Sequence, residues 1–155
     1  MASARTEKAY EKHVWIIFFV LGFLVAFASQ GQLLGMSPNP PSTEVTTGLT
    51  MEQIATRIPG ILDYIASIDR QLGNFMLGFG VLTMGIAAVP FRKGEKWAWY
   101  ILWIWPVVLV IQTVNSFLST PGGGPGWQLD FAFIFVLSAA LLISLPSFFA
   151  KKQKL

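Results

Sequence analysis

The chain consists of long apolar stretches separated by short groups of basic residues. Four stretches contain almost no charge, at residues 14–36, 75–91, 97–118 and 131–150. Each has about the 17 to 25 residues that a helix needs to cross the hydrocarbon core of a bilayer. The stretches are continuously apolar and do not alternate, so they predict helices rather than strands of a membrane barrel. The expected fold is an all-α integral membrane four-helix bundle.

The basic residues indicate the orientation of this bundle. Nine of the 11 Lys and Arg residues fall in three clusters, which are Arg5, Lys8 and Lys12; Arg92, Lys93 and Lys96; and Lys151, Lys152 and Lys154. Four crossings place all three clusters on one face, and Lys and Arg are retained on the cytoplasmic side. We therefore expect a protein integral to the cytoplasmic (cell) membrane, with both termini cytoplasmic and the lipid bilayer as its surroundings.

The pattern predicts a single membrane domain over residues 1–155. The crossings span about 12–34, 70–90, 97–118 and 128–149, and residues 35–69 form an extracytoplasmic segment. Within it, Thr50 and Gln53 suit a capping box that opens a short helix over 51–58, and Pro59-Gly60 interrupts it. A second helical pattern begins at residue 61 and continues into the second crossing.

Prolines and small residues predict details of these helices. Pro90 should stop the second crossing, and Pro106 should kink the third. Gly22 and Ala26, four residues apart, allow another helix to approach the first one closely. The second crossing is rich in glycine, which makes it the expected central packing partner. The short connection at residues 91–96 predicts that the second and third crossings are antiparallel neighbours.

The first crossing has an alternative interpretation. Its basic start, its apolar stretch and the sequence Ala26-Phe27-Ala28 imitate a secretory signal with an A-x-A cleavage site. We expect the helix to be retained. Cleavage would leave three crossings with the same orientation.

Composition excludes several kinds of chemistry. The 155 residues contain no Cys and a single His, so disulfides, thiolate metal sites and a haem-binding His pair are ruled out. No metal or cofactor is predicted. The net charge of +3 is explained by residues beside membrane ends, so no nucleic-acid partner is expected.

Polar residues concentrate towards the outer ends of the predicted helices. Because polar side chains in hydrocarbon usually turn to the bundle interior, they predict an outward-facing polar chamber that binds a ligand. Its candidate residues are Arg70, Asn74, Gln112, Asn115, Trp127 and Asp130. Arg70 is the cation, and the Asp130 carboxylate should lie within about 6 Å of it or reach it through water. The alternative is that these groups serve as interhelical packing contacts and wet interfacial residues.

The aromatic residues after the 91–96 connection also allow two interpretations. Trp99, Trp103 and Pro106 could shape a ligand slot, and Trp97 could make a cation–π contact with Arg92 or Lys96. The alternative is anchoring in the aromatic belt at the membrane interface.

The stretch Arg92-Lys93-Gly94-Glu95-Lys96-Trp97-Ala98-Trp99-Tyr100, with Trp103 and Pro106, resembles a signature of prokaryotic four-helix membrane proteins of unassigned function. The segment from Gly48 through Pro59 and Tyr64 to Gly73 resembles them as well. The resemblance covers residues 48–106 and implies the four-helix fold but no activity. The layout is also similar to DoxX-like proteins and to the sterol-isomerase-type four-helix fold, in architecture only.

Three classes of function remain open. The expected one is a non-catalytic accessory or structural component of a membrane protein assembly, with a membrane protein partner or a homo-oligomer. The alternative is a binding or carrier module for a small amphipathic, lipid- or quinone-like ligand in the chamber. A membrane enzyme using Asp69 or Asp130 as acid or base is the weakest, because no second functional group accompanies either carboxylate.

Overall fold

The computed structural model describes residues 9–34, 44, 47–119, 122 and 126–149, with the backbone alone for residues 9–12. Some of the sequence predictions concern residues that lie outside this description. These residues are 5–8, the side chains of 9–12, residues 151–154, most of the 37–50 segment and most of the 119–126 turn. The described part contains helices and turns and no strand. The all-α prediction is confirmed.

Helix α1 is Ala9–Leu33, α2 is Met51–Arg57 and α3 is Ile61–Ile86, which continues as a π-helical turn over Ala87–Phe91. Helices α4 (Lys96–Leu102) and α5 (Ile104–Ser119) make up the third crossing, and α6 is Trp127–Phe149. Four spans are long and apolar enough to cross a membrane: His13–Leu33, Ile61–Phe91, Lys96–Ser119 and Trp127–Phe149. They confirm the four-helix bundle.

The predicted capping box opens α2. The Thr50 hydroxyl accepts the Gln53 backbone N–H at 3.3 Å, and the Gln53 side chain accepts the Thr50 N–H at 2.9 Å. Gly60 then takes a left-handed φ of 82°, which favours glycine, and α3 begins at the next residue. The second spanning helix is therefore continuous from Ile61, well before the predicted start of the crossing.

The prediction that Pro90 stops the second crossing is wrong. Pro90 lies inside the π turn, and the helix ends after Phe91. Backbone N–H groups here donate five residues back, from Arg92 to Ala87 at 3.2 Å and from Glu95 to Pro90 at 2.9 Å. A π turn holds more residues than an α turn, so it accommodates the ring that a regular turn would exclude.

The third crossing is interrupted at Trp103, between α4 and α5. Its N–H bonds to the Tyr100 carbonyl at 3.2 Å, three residues back. The interruption lies next to Leu102, whose carbonyl is four residues before Pro106 and is the group with which the proline ring clashes. The helical hydrogen-bond pattern is thus interrupted in the turn before Pro106, where the sequence predicts a kink.

The tightest contact in the bundle joins α1 to α3. A Cβ added to Gly80 would lie 2.6 Å from the Gly22 carbonyl oxygen and 2.7 Å from the Ala26 nitrogen. A Cβ on Gly22 would lie 2.7 Å from the Gly80 oxygen. The backbones therefore touch, as the Gly22 and Ala26 spacing predicts.

The helices lie in the order α3, α1, α6, α5, each packed against the next. The second and third crossings, which the short connection predicts as neighbours, meet mainly through side chains. The Trp105 indole N–H donates to the Thr83 hydroxyl at 3.1 Å, and its rings lie 4.7 Å from Phe79. The π turn of the second crossing also packs against α4 of the third, so the two crossings are in contact as predicted, while α1 is the main partner of α3.

Most of the core lies at the end of the bundle that carries the Arg92–Glu95 turn. Phe91 packs between Phe18 of α1 and Phe148 of α6, with ring centroids 5.5 and 4.7 Å apart. Trp99 is buried beside them and donates its indole N–H to the Leu141 carbonyl at 2.9 Å. The start of α1, the turn and the end of α6 therefore meet at one end, which we call the turn end.

Candidate functional site

The six residues predicted to line a chamber lie on three helices in the half of the bundle opposite the turn end. Arg70 and Asn74 are on α3 and exposed, as are Gln112 and Asn115 on α5. Trp127 and Asp130 are in the first turn of α6 and half-buried. The helix assignments place all six towards one end, as the sequence predicts.

Within the described chain, the structure joins these six residues by no hydrogen bond, ion pair or ring contact. Trp127 packs on Phe117 and Phe131, with centroids 5.7 and 5.8 Å apart. Arg70 and Asp130 form no direct ion pair among the described residues. That Arg70 and Asp130 approach each other at a longer distance or through water stays a prediction. The existence of the chamber stays a prediction as well.

The main packing partners of these helices differ in this half. The described hydrogen bond and ring contact between α3 and α5 both involve Trp105, near the start of α5. Beyond it α3 packs on α1, and α5 packs on α6. The polar residues on α3 and those on α5 therefore lie on helices whose main packing partners differ.

An apolar groove of about 460 Å³ runs along the surface of α3. Its lining residues belong to two turns of the helix and are Asn74, Phe75, Met76, Gly78, Phe79 and Leu82. Gly78 has no heavy atom within 4 Å of where its Cβ would be, so the missing side chain helps form the groove. Asn74, at the outer end, is the one predicted site residue that lines it.

A second polar feature of this half was not among the predicted site residues. The amide oxygen of Gln32, in the last turn of α1, is buried without a hydrogen-bond partner. It lies beside α3, where a Cβ on Gly73 would be 3.2 Å from the Gln32 Cβ. Its sequence position placed Gln32 at the outer end, but only the helix pairing shows that its oxygen is buried.

The turn end carries two cation–π contacts, and their rings are not the one that the sequence suggested as a possible partner. The Arg92 guanidinium carbon lies 5.0 Å from the Trp15 ring centroid, and the Lys96 ammonium lies 5.4 Å from that of Phe149. Trp97, for which the sequence allowed either a cation–π contact or anchoring at the interface, is 51% exposed and takes part in neither contact. Four crossings already place Trp15 and Phe149 at the same end as Arg92 and Lys96. The predicted topology could therefore have suggested both contacts.

The proposed tryptophan slot is filled by the protein itself. Trp99 meets Tyr100, Trp103 and Phe149 edge-on, with centroids 5.2 to 5.7 Å apart. Its N–H is satisfied by the Leu141 carbonyl, and Pro106 is buried. This arrangement is one of packing, with no described opening at Trp99.

Comparisons with protein-family models, curated proteins and solved structures find no match. The resemblance carried by residues 48–106 therefore stays an expectation. What the fold defines is the class: an all-helical membrane protein with four spanning helices.

Proposed function

We propose that the protein is a non-catalytic component of a membrane protein assembly, which docks a transmembrane helix of a partner protein against α3. The single observation that supports this proposal is a second set of glycines on α3. These glycines are exposed, and they have the same spacing as the glycines through which α3 packs against α1.

The two faces of α3 use the same spacing. Gly73, Gly80 and Ala87 recur every seven residues and are buried, the two glycines against α1. Gly78 and Gly85 are also seven residues apart, but both are exposed with nothing described within 4 Å of a Cβ. Seven residues make nearly two turns, so each set lies on one face.

Small residues are what a second helix needs for association in a bilayer. Lipid tails are as apolar as the helix surface, so close backbone approach rather than hydrophobicity drives pairing. The groove beside Gly78 has room for side chains of an incoming helix between Phe75 and Leu82. The occupant that fits is therefore a helix with small or medium apolar side chains.

Exposed polar residues on α5 support an assembly as well. Gln112 lies seven residues before Ser119, the last residue of α5, and is therefore about 10 Å inside that end. Gln112 and Asn115 are exposed and have no hydrogen-bond partner among the described residues. Polar groups at such depth are costly against lipid, and a partner helix would satisfy them.

The test is purification from native membranes in mild detergent, with quantitative mass spectrometry of copurified proteins. Variants Gly78→Leu and Gly85→Leu fill the open face, and Gly31→Leu is the control at a half-buried glycine on α1 that also has no heavy atom within 4 Å of an added Cβ. We expect one stoichiometric partner that both α3 variants lose and the α1 variant retains. Equal recovery with all three variants would contradict the proposal. A second copy of this chain as the sole partner would replace it with a homo-oligomer.

The second candidate is a carrier for a small amphipathic, lipid- or quinone-like ligand. The observation that favours it is the unpartnered Gln32 oxygen, an acceptor in the same half as the predicted chamber. Mass spectrometry of small molecules in the same preparation tests it. An enriched compound that is lost in Gln32→Leu or Asn74→Leu would support the carrier, and no enriched compound would exclude it.

The proposed location is the cytoplasmic (cell) membrane, with the turn end and both termini on the cytoplasmic side. The support is the excess of Lys and Arg near the helix ends that meet there.

A further inference from the structure

The turn end presents cations that are held in place by aromatic rings. The Arg92 side chain contacts Trp15 near the start of α1, and the Lys96 side chain contacts Phe149 at the end of α6. The backbone between them is fixed by the π turn and by Gly94, whose φ of 77° closes the connection. Two cations from one short turn are thereby positioned across three helices.

Among the residues whose side chains the structure describes, these cations have no carboxylate partner. Arg92, Lys93 and Lys96 form no ion pair with any described residue. Glu95 is the one acidic residue in 92–96, so the turn carries three positive charges less one, a net +2. The Arg92 guanidinium forms no hydrogen bond with any described residue while it lies beside Trp15, so its N–H donors are available to an anion.

An apolar strip continues from the cations along the third crossing. Trp97, Tyr100 and Ile104 follow the spacing i, i+3, i+7 and are all exposed. They therefore share one side of the crossing, as far as the break at Trp103 allows. A ligand that joins a phosphate to long acyl chains matches the cations at one end and the strip along its length.

We propose that Arg92, Lys93 and Lys96 bind the phosphate of an anionic phospholipid in the leaflet at the turn end, with its acyl chains along Trp97, Tyr100 and Ile104. Zwitterionic phospholipids carry the same phosphate, but their positively charged ammonium group is repelled by the cations of the protein. Anionic headgroups gain from every cation, by an amount equivalent to about fivefold in affinity per Lys or Arg. This site is formed by helices other than the proposed docking face of α3, so either can fail without the other.

The test uses the full chain in mixed micelles that contain equal amounts of phosphatidylglycerol and phosphatidylcholine. Native mass spectrometry then measures the ratio of the two lipids that the protein retains. We expect phosphatidylglycerol to be enriched at least fivefold in the unmodified protein. Enrichment should fall about fivefold in Arg92→Gln or Lys96→Gln and disappear in the double variant.

Two further variants separate a built site from general positive charge. Arg70→Gln removes an exposed cation at the other end of the bundle and should leave the enrichment unchanged. Trp15→Leu keeps every charge but removes the ring beneath Arg92, so it should lower the enrichment at least twofold. The single variants keep the test decisive if the double variant does not fold.

Three results would overturn the proposal. The first is no enrichment in the unmodified protein, and the second is enrichment that survives Arg92→Gln and Lys96→Gln, which would place the lipid at other cations. The third is displacement of the lipid by an equal concentration of inorganic phosphate, which would make free phosphate the ligand.

Discussion

At the scale of single residues, the described bundle is joined by a few hydrogen bonds and close backbone contacts. The Thr83 hydroxyl donates to the Phe79 carbonyl at 2.8 Å and accepts from the Trp105 indole at 3.1 Å. It thereby connects α3 to α5 through side chains. In a bilayer such a bond has few competitors, because there is no water to replace it.

Replacing Thr83 by Val removes the acceptor at nearly constant shape and leaves the Trp105 N–H unpaired. We expect the free energy of unfolding to fall by about 1 kcal/mol, within the range measured for interhelical hydrogen bonds. Unfolding in detergent, followed by tryptophan fluorescence, measures it. Thr83→Ser keeps the hydroxyl and should fall less; equal losses for both variants would show that the hydrogen bond contributes nothing.

The glycines of α3 provide a matched comparison. Gly80→Ala places a Cβ 2.6 Å from a backbone oxygen of α1, so the two helices must separate. We expect a loss of about 1 to 3 kcal/mol, the usual range for overpacking. Gly78→Ala meets open space and should be neutral or slightly stabilising. Thermal unfolding of the two variants side by side decides this, and a loss for Gly78→Ala as large as for Gly80→Ala would contradict the helix pairing.

At the scale of elements, three prolines in spanning helices have three different effects. Pro90 lies in a π turn, Pro106 follows a break at Trp103, and Pro146 lies within uninterrupted α6. The residue type predicts a disturbed hydrogen-bond ladder in each case. It does not predict which disturbance follows, because that depends on neighbouring helices, such as those around buried Phe91.

Helix α2 shows the opposite case, where local sequence determines an element. It has no buried residue, so its cap is its main support. Loss of an N-cap side chain costs about 1 kcal/mol, which corresponds to about fivefold faster exchange of amide hydrogens over Met51–Arg57 in Thr50→Ala. Hydrogen exchange with mass spectrometry measures this, with Thr56→Ala as the control. Unchanged exchange in Thr50→Ala would mean that other contacts hold α2.

At the scale of the whole molecule, the packing is uneven. The turn end holds the aromatic core, and the other half consists of two helix pairs, α1 with α3 and α5 with α6. Small residues and a few hydrogen bonds support the half opposite the turn end, where Arg70, Asn74, Gln112 and Asn115 are exposed. This asymmetry is what leaves α3 accessible to a partner helix.

The lengths of the apolar runs and the positions of the charged residues were sufficient to predict the four helices. Residue spacing predicted the capping box and the close approach of another helix to α1 at Gly22 and Ala26. The candidate site was less accessible to sequence reasoning. Gln112 and Asn115 were placed on the right helix, but whether they meet Asn74 depends on the separation of α3 from α5. Likewise, Trp15 as the partner of Arg92 requires knowledge of which helix ends meet.

The most direct test of the account is the sidedness of the chain in the membrane. The protein contains no Cys, so single cysteines at Thr47, Lys93, Ser119 and Gln153 can be labelled in intact cells with a membrane-impermeant maleimide. The account predicts labelling at Thr47 and Ser119 in intact cells, and at Lys93 and Gln153 only after the membrane is permeabilised. Labelling of Lys93 and Gln153 from opposite sides would contradict it.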